Sequence, residues 1–269
     1  MPPGLTSSSR SDRRGRARRH SLGQHYLTDL SVVSSMVNLA AIRHDERVLE
    51  IGTGRGALTR ELTGLTANLE GYEIDRESYE GLKRESVGAS LVLHNDDAFK
   101  SSPEFDVLLS SLPYSESSHF VEWLSRKRYD RAVVLLQRDF AMKITSPPGG
   151  PAYRAISVIS QASAKVEIVS DVSRLSFDPP PRVNSCLVTM RWKRTLSAEQ
   201  TAMIKRIFSQ KRRTVRAALK NLGLAAPPSA PEPGANFALQ CRVNSLRPDS
   251  VLAMIGMLTR AEQAPSSEA

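Results

Sequence analysis

Residues 48–59 read VLEIGTGRGALT, and no other stretch restricts the fold of this chain so tightly. An apolar run reaches Glu50 and Ile51. Three glycines follow at alternate positions (Gly52, Gly54 and Gly56), and Ala57, Leu58, Leu62 and Leu65 then recur at helical spacing. A strand that passes into a helix through such a turn opens a parallel α/β sheet, whose ligands bind beyond the carboxyl ends of the strands. Glycine lets the backbone turn sharply and leaves room for a ligand where a Cβ would intrude. The spacing is G-x-G-x-G, not the G-x-G-x-x-G of dinucleotide sites. The carboxylate of Glu50 directly before it would repel a pyrophosphate, so a positively charged or zwitterionic ligand fits better.

From Asp29 onward the chain alternates in a βαβ rhythm. Candidate strands are RVLEI (47–51), LEGYE (69–73), LVLH (91–94), DVLLS (106–110) and AVVLL (132–136). Two more, KVEIV (165–169) and CLVTM (186–190), bracket the turn-rich SFDPPPRVNS, which predicts a mostly parallel sheet with a hairpin at one edge. Glu73 ends the second strand, where a carboxylate can accept both hydroxyls of a ribose. Asp97 follows the third, where it can accept from an adenine amino group. Three carboxylates on successive strands after a glycine turn point to an adenosine-containing cofactor. S-adenosyl-L-methionine, with its sulfonium and ammonium, has the matching charge.

The fourth strand runs into SSLPYSESS (110–118), delivering a proline and an aromatic ring to the ligand edge. Small–Leu–Pro–Tyr resembles the loop of methyltransferases that act on exocyclic amines. An adenine amino lone pair is delocalised into its ring and is a poor nucleophile. Acceptors at Ser111 and at the backbone near Leu112 favour a pyramidal nitrogen, while Pro113 shapes the loop and Tyr114 stacks on the base. Positioning and electrostatics carry most of the gain, and the base must leave its stack to reach the pocket.

Charge is unevenly placed. The net charge is +9, with +5 in residues 1–20 and +7 in residues 204–220, leaving the remainder at −3. Basicity gathered in two segments is the footprint of a polyanion partner, most often nucleic acid. Residues 1–20 lack hydrophobic periodicity and read as a disordered basic tail. Residues 21–195 read as the Rossmann-like α/β domain, and 196–269 as a helical RNA-binding domain with a continuous helical pattern from Leu196 to Leu224. A Pro/Ala loop follows at 225–235, a last helix opens at Pro248, and EQAPSSEA frays at the end. No stretch approaches the roughly 20 apolar residues of a membrane span, and the first residues lack the apolar core of a signal peptide. Cys186 and Cys241 read as reduced thiols, and the five histidines have no metal-ligand spacing. A cytoplasmic protein without a metal is expected.

Taken together, the chain resembles the ribosomal RNA adenine dimethyltransferases, with the macrolide-resistance methyltransferases as a sister branch. LGQHYLTD (22–29), EIGTGRGALT, SLPY, LQRDFAMKI with AYRAISVISQ, FDPPPRVNS (177–185) and FSQKRRTVRAALKNL match six family motifs in order. The resemblance implies a class I S-adenosylmethionine-dependent methyltransferase sheet and a helical C-terminal domain. In it, Gln24, His25 and Leu27 close over the cofactor. Gly52 touches its methionine end, Glu73 binds the ribose and Asp97 the adenine, with Glu50, Gly54, Gly56 and Ser111 also among the cofactor-binding residues. Ser111, Leu112, Pro113 and Tyr114 hold the target base, with Phe177 on its other face. Lys211, Arg212, Arg213 and Arg216 grip RNA phosphates. The implied activity is dimethylation of two adjacent adenosines in the 3′-terminal hairpin of small-subunit ribosomal RNA, by a monomer acting on a small-subunit precursor. The rival readings are a large-subunit RNA methyltransferase of the resistance type and a non-catalytic assembly factor. Three positions depart from the family pattern: His25 and Ser111 replace asparagines, and Glu116 replaces an apolar residue.

Overall fold

The computed structural model describes residues 25–85, 87–224 and 239–263. The basic segment 1–20, Gln24, the Pro/Ala stretch 225–235 and the chain beyond Gln263 lie outside the described residues.

In chain order the strands are β1 (Tyr26–Leu27), β2 (Arg47–Ile51), β3 (Asn68–Tyr72), β4 (Leu91–His94), β5 (Val107–Ser110), β6 (Arg131–Gln137), β7 (Ala164–Val172), β8 (Phe177–Asp178) and β9 (Ser185–Trp192). The helices are α1 (Leu30–Ala40), α2 (Ala57–Leu62), α3 (Arg76–Arg84), α4 (Ser117–Leu124), α5 (Arg138–Ile144), α6 (Ala155–Ser163), α7 (Ala198–Phe208), α8 (Val215–Asn221) and α9 (Pro248–Gln263). Seven strands form one sheet in the order β4-β3-β2-β5-β6-β9-β7. The first five are parallel, and β9 runs antiparallel between β6 and β7. The expected hairpin is therefore present, with its second strand innermost. From β2 the chain builds outward through β3 to β4, then returns to β5 and builds the other way. The reversal leaves a topological switch point between the ends of β2 and β5, the place where open α/β sheets bind ligands.

Burial explains the central strands. Every residue of β5 is buried, as are four of the five in β2. Along β5, Val107 and Leu109 pack with Val33, Met36 and Leu58 on one face, while Leu108 packs with Phe120, Trp123 and Val134 on the other. A strand covered on both faces reads as a continuous apolar run. Burying each such leucine stabilises by roughly 1.5–3 kcal/mol.

A separate two-stranded ribbon pairs β1 with β8, Tyr26 opposite Asp178 and Leu27 opposite Phe177. Helix α1 starts where the ribbon ends. Asp29 caps it by accepting from the Ser31 amide at 3.0 Å, and the Ser176 hydroxyl donates to the same carboxylate at 2.9 Å.

The pattern from Leu196 to Leu224 is not one helix. It breaks at 209–214 between α7 and α8 because another segment takes the backbone there. The Asn244 and Val243 amides donate to the Lys211 and Arg213 carbonyls, each at 3.0 Å, and Val215 donates to the Cys241 carbonyl at 2.9 Å. Thr214 then restarts the helix, its hydroxyl accepting from the Ala217 amide at 3.3 Å. The apolar cluster inside α7–α9 also takes in Tyr153, Val158, Ile159 and Ala162, from α6 and the turn before it. Among the described residues no helix is long and apolar enough to cross a membrane, and no group of three or more His, Cys, Asp or Glu side chains is placed to hold a metal ion.

Candidate active site

The sheet register assembles the site. Ile51 stands opposite Ser110 on one side and Tyr72 on the other, so Gly52, Ser111 and Glu73 leave the sheet at one level. Gly52 turns with φ of 78°, a left-handed conformation that favours glycine. A Cβ there would stand 3.6 Å from Leu112 Cδ2 and 3.8 Å from the Ser111 carbonyl oxygen. The glycine turn and the S-L-P-Y loop thus approach each other across the switch point, with room between them for little more than a methyl group.

Two cavities adjoin there, both lined by Gly52, Glu73 and Pro113. The first, about 70 Å³, runs beneath β1 and is lined by His25, Leu27, Glu50, Gly54 and Ser111 among others. The second, about 330 Å³, is lined by Asp96, Asp97 and Phe99, which follow β4, and by Leu112 and Glu116 among others.

Their walls are acceptors. Glu50 is fully enclosed, and burial pushes its carboxyl up to about 8, with the Thr59 hydroxyl opposing and the Glu73 charge adding to the shift. Its Oε2 has no hydrogen-bond partner. Burial also raises Glu73, while the amides of Asp75 and Gly54 oppose the shift by donating to its two oxygens at 2.8 and 2.7 Å. Glu73 lines both cavities. Asp97 accepts from the Phe99 amide at 3.0 Å, and Lys100 Nζ stands 3.4 Å from its other oxygen. Glu116 is half-exposed, 3.7 Å from His119 Nδ1. An orphaned buried carboxylate oxygen beside further acceptors suits a ligand that carries a cation and hydroxyl or amino donors, and S-adenosylmethionine has all three.

The S-L-P-Y loop is braced from a distance in sequence. Tyr114 Oη and Ser185 Oγ are 2.5 Å apart, joining the loop after β5 to the start of β9. Burial raises the Tyr114 phenol, with the Ser185 hydroxyl opposing. His25 lies with its ring 5.9 Å from that of Tyr114, and its Nδ1 is 2.7 Å from the Pro179 carbonyl. The β1–β8 ribbon therefore holds the N-terminal motif against the Pro-rich loop beside the tyrosine.

Of the expected site residues, His25, Leu27, Glu50, Gly52, Gly54, Glu73, Asp97, Ser111, Leu112 and Pro113 line one cavity or the other. Tyr114 stands beside them. Gly56 lines neither. It caps α2 with φ of 77°, and a Cβ there would meet Leu82 at 2.4 Å, so its role in the structure is packing. Phe177 also lines neither, its ring being buried with Leu27, Val33 and Met36. Lys211, Arg212 and Arg213 lie on the turn between α7 and α8 and Arg216 within α8, all but Lys211 exposed. Burial depresses Lys211, and the charges of Arg154 and Arg212 add to this. Sequence reasoning passed over Tyr26, Thr53, Asp96, Phe99 and Ser185. Tyr26, Thr53 and Ser185 stood inside quoted motifs, and only the fold shows where they stand.

The comparisons with known proteins agree with this geometry. A family model described as "Ribosomal RNA adenine dimethylase" matches residues 15–260. A Synechococcus protein described as ribosomal RNA small subunit methyltransferase A is 32% identical over 273 residues, covering 92% of this chain and 98% of its own. A protein of the same description from Thermotoga neapolitana is 34% identical over 210 residues, 75% of this chain and 79% of its own. A solved dimethyladenosine transferase from Plasmodium falciparum superposes with a TM-score of 0.74 at 25% identity, covering 88% of this chain and 98% of that one.

Proposed function

This chain belongs to the ribosomal RNA adenine dimethylase family, with its class I S-adenosylmethionine-dependent methyltransferase fold, and from that premise we propose that it dimethylates the 6-amino groups of two adjacent adenosines in the 3′-terminal hairpin of small-subunit ribosomal RNA. It acts as a cytoplasmic monomer on a precursor of the small subunit. The observation that carries the reading is the close approach of the Gly52 turn to Ser111 and Leu112 across the switch point, which sets an acceptor-lined cleft beside an S-L-P-Y loop. The small-subunit assignment is supported by the descriptions of the relatives, one of which aligns with 92% of this chain.

Glu50 and the Gly52 turn would hold the methionine end of S-adenosylmethionine, Glu73 the ribose and Asp97 the adenine. When bound, the cofactor supplies a methyl group on a sulfonium, an electrophile that needs no metal or general acid. The chain's own residues prepare the nucleophile. The Ser111 hydroxyl and the Leu112 carbonyl accept from the target amine, favouring a pyramidal nitrogen with its lone pair toward the methyl group. Tyr114, fixed through its hydroxyl by Ser185, stacks on the base and sets its depth. After transfer the amine is a cation and loses its proton to water. Ser111 offers one hydroxyl where an asparagine would offer an amide, so the second transfer depends more on Tyr114 and on the backbone acceptor.

The test uses labelled S-adenosylmethionine with unmethylated small and large subunits, and identifies modified nucleosides by mass spectrometry. Dimethyladenosine from the small subunit alone is the expected result. Label in the large subunit overturns the assignment. Absence of label from both, with cofactor still bound, overturns the activity.

A further inference from the structure

A second concentration of positive charge lies at the opposite end of the sheet from the cleft. Arg126, Lys127 and Arg128 follow α4, and Arg191, Trp192, Lys193 and Arg194 close β9. The two segments are distant in sequence and meet in the fold. The Trp192 amide donates to the Asp130 carbonyl at 3.2 Å and the Leu196 amide to the Ser125 carbonyl at 2.9 Å. The Arg128 guanidinium lies 3.6 Å from the centre of the Trp192 ring, and Lys127 Nζ lies 5.1 Å from that of Trp123.

All six cations are exposed except Lys127, which is half-buried. Carboxylates do little to balance them. Asp249 pairs with Arg194 at 3.0 Å, and Asp130 is exposed, while the other acids near this edge are taken by other cations: Glu122 by Lys205 at 2.6 Å, Glu46 by Arg131 at 2.7 Å and Glu167 by Lys165 at 2.8 Å. Among the described residues, the other five cations are in no ion pair. Burial and the neighbouring Arg126 both depress Lys127, so the folded chain holds these charges together against their repulsion. Four of the six are arginines, whose planar fork matches phosphate oxygens. The Trp192 ring holds one such fork on an exposed side chain, an arrangement suited to nucleic-acid bases and phosphates.

The patch is not an extension of the cleft. It sits at the start of β6, and seven residues at roughly 3.3 Å each put the far end of that strand about 20 Å away. Helix α4 spans the interval, beginning three residues after Tyr114 and ending at the patch.

We propose that this far edge is a second RNA-binding surface, which holds the phosphate backbone of RNA remote from the methylated adenosines. It rests on the reading of the substrate given above and adds to it that substrate size matters: a large RNA reaches both edges, and a short hairpin reaches the cleft alone.

The test compares the full-length protein with R126A/K127A/R128A, using unmethylated small subunits and a short hairpin RNA bearing the adjacent adenosines. The triple variant should bind the subunits at least tenfold more weakly near 0.15 M salt. Its plot of log affinity against log salt should be shallower by about 2–3, since each duplex phosphate contact contributes a slope of about 0.9. Methylation of the hairpin should stay within twofold of wild type. If removal of Lys127 from the face of Trp123 lowers the melting temperature, R126A/R128A/K193A serves in its place. Wild-type affinity and slope in a folded variant overturn the proposal, as does equal weakening on hairpin and subunit. If the wild-type protein ignores small subunits, the substrate reading falls instead, and the same pair of proteins on large subunits then decides whether the patch binds RNA.

Discussion

At the carboxyl ends of β2–β5 the charges are acidic and enclosed, with Glu50 and Glu73 both buried. After α4 and at the end of β9 they are basic, and all but Lys127 are exposed. Enclosed groups act one at a time, because each is worth as much as its desolvation makes it, and losing one leaves a specific gap. Exposed cations act as a sum, because solvent and salt screen each of them. The cleft reads chemistry and the surfaces read charge density, so substitutions in the two regions should differ in size and in salt dependence.

The largest effect is expected from Tyr114→Ala. It should lower kcat by about 100-fold or more, the usual consequence of a misplaced reacting atom, with cofactor affinity held within about threefold by calorimetry. Equal loss of cofactor binding would show that the cleft and the base platform are not separable.

Next comes Glu50→Gln, with a cofactor affinity about tenfold or more weaker at pH 8. The sign of its pH dependence follows from the raised carboxyl. Between its ordinary 4.5 and about 8 the folded chain keeps a proton that the unfolded chain has lost. Stability of the ligand-free protein therefore falls as pH rises across that window. A cationic cofactor favours the ionised form, so wild-type affinity should rise with pH up to about 8, with proton release visible as a buffer-dependent binding enthalpy. In Glu50→Gln both slopes should flatten.

Smaller still, Ser185→Ala removes the partner of the Tyr114 hydroxyl. A reduction of about three- to tenfold in kcat, near the roughly 0.5–1.5 kcal/mol of one hydrogen bond, is expected with an unchanged salt response. At the lower limit, Arg216→Ala should weaken RNA binding by about twofold and reduce the salt slope by about 0.9, a single phosphate contact. If that one arginine has an effect as large as Tyr114, the contrast between the two regions is broken.

Much of the cleft was legible because local pattern and global position coincide there. RVLEI and LVLH form strands over the residues expected of them, and the glycine turn marks the switch point. What escaped was long-range. The β1–β8 ribbon has two residues in each strand, too few for any periodicity, and joins positions some 150 residues apart. The break between α7 and α8 hides in an unbroken amphipathic pattern, because its cause is pairing with 241–244. Thr214 was the one local sign, a capping residue followed by good helix formers. The far basic edge was invisible to charge counted by segment, since 126–128 and 191–194 each add only three positive charges and lie 65 residues apart until the fold joins them. Glu116 looked anomalous against an apolar expectation, and it lines the second cavity together with Asp97.

The position of β9 between β6 and β7 has a consequence for synthesis. β7 leaves the ribosome before β9, yet β9 is its ladder partner among the described residues. Until residues 185–192 emerge, the apolar strand β6 presents an open edge and β7 has nothing to pair with. Open edges of that kind are what nascent chains aggregate through. The nascent chain is therefore most vulnerable while the Pro-rich loop is being made, and a ribosome paused there would hold it in that state.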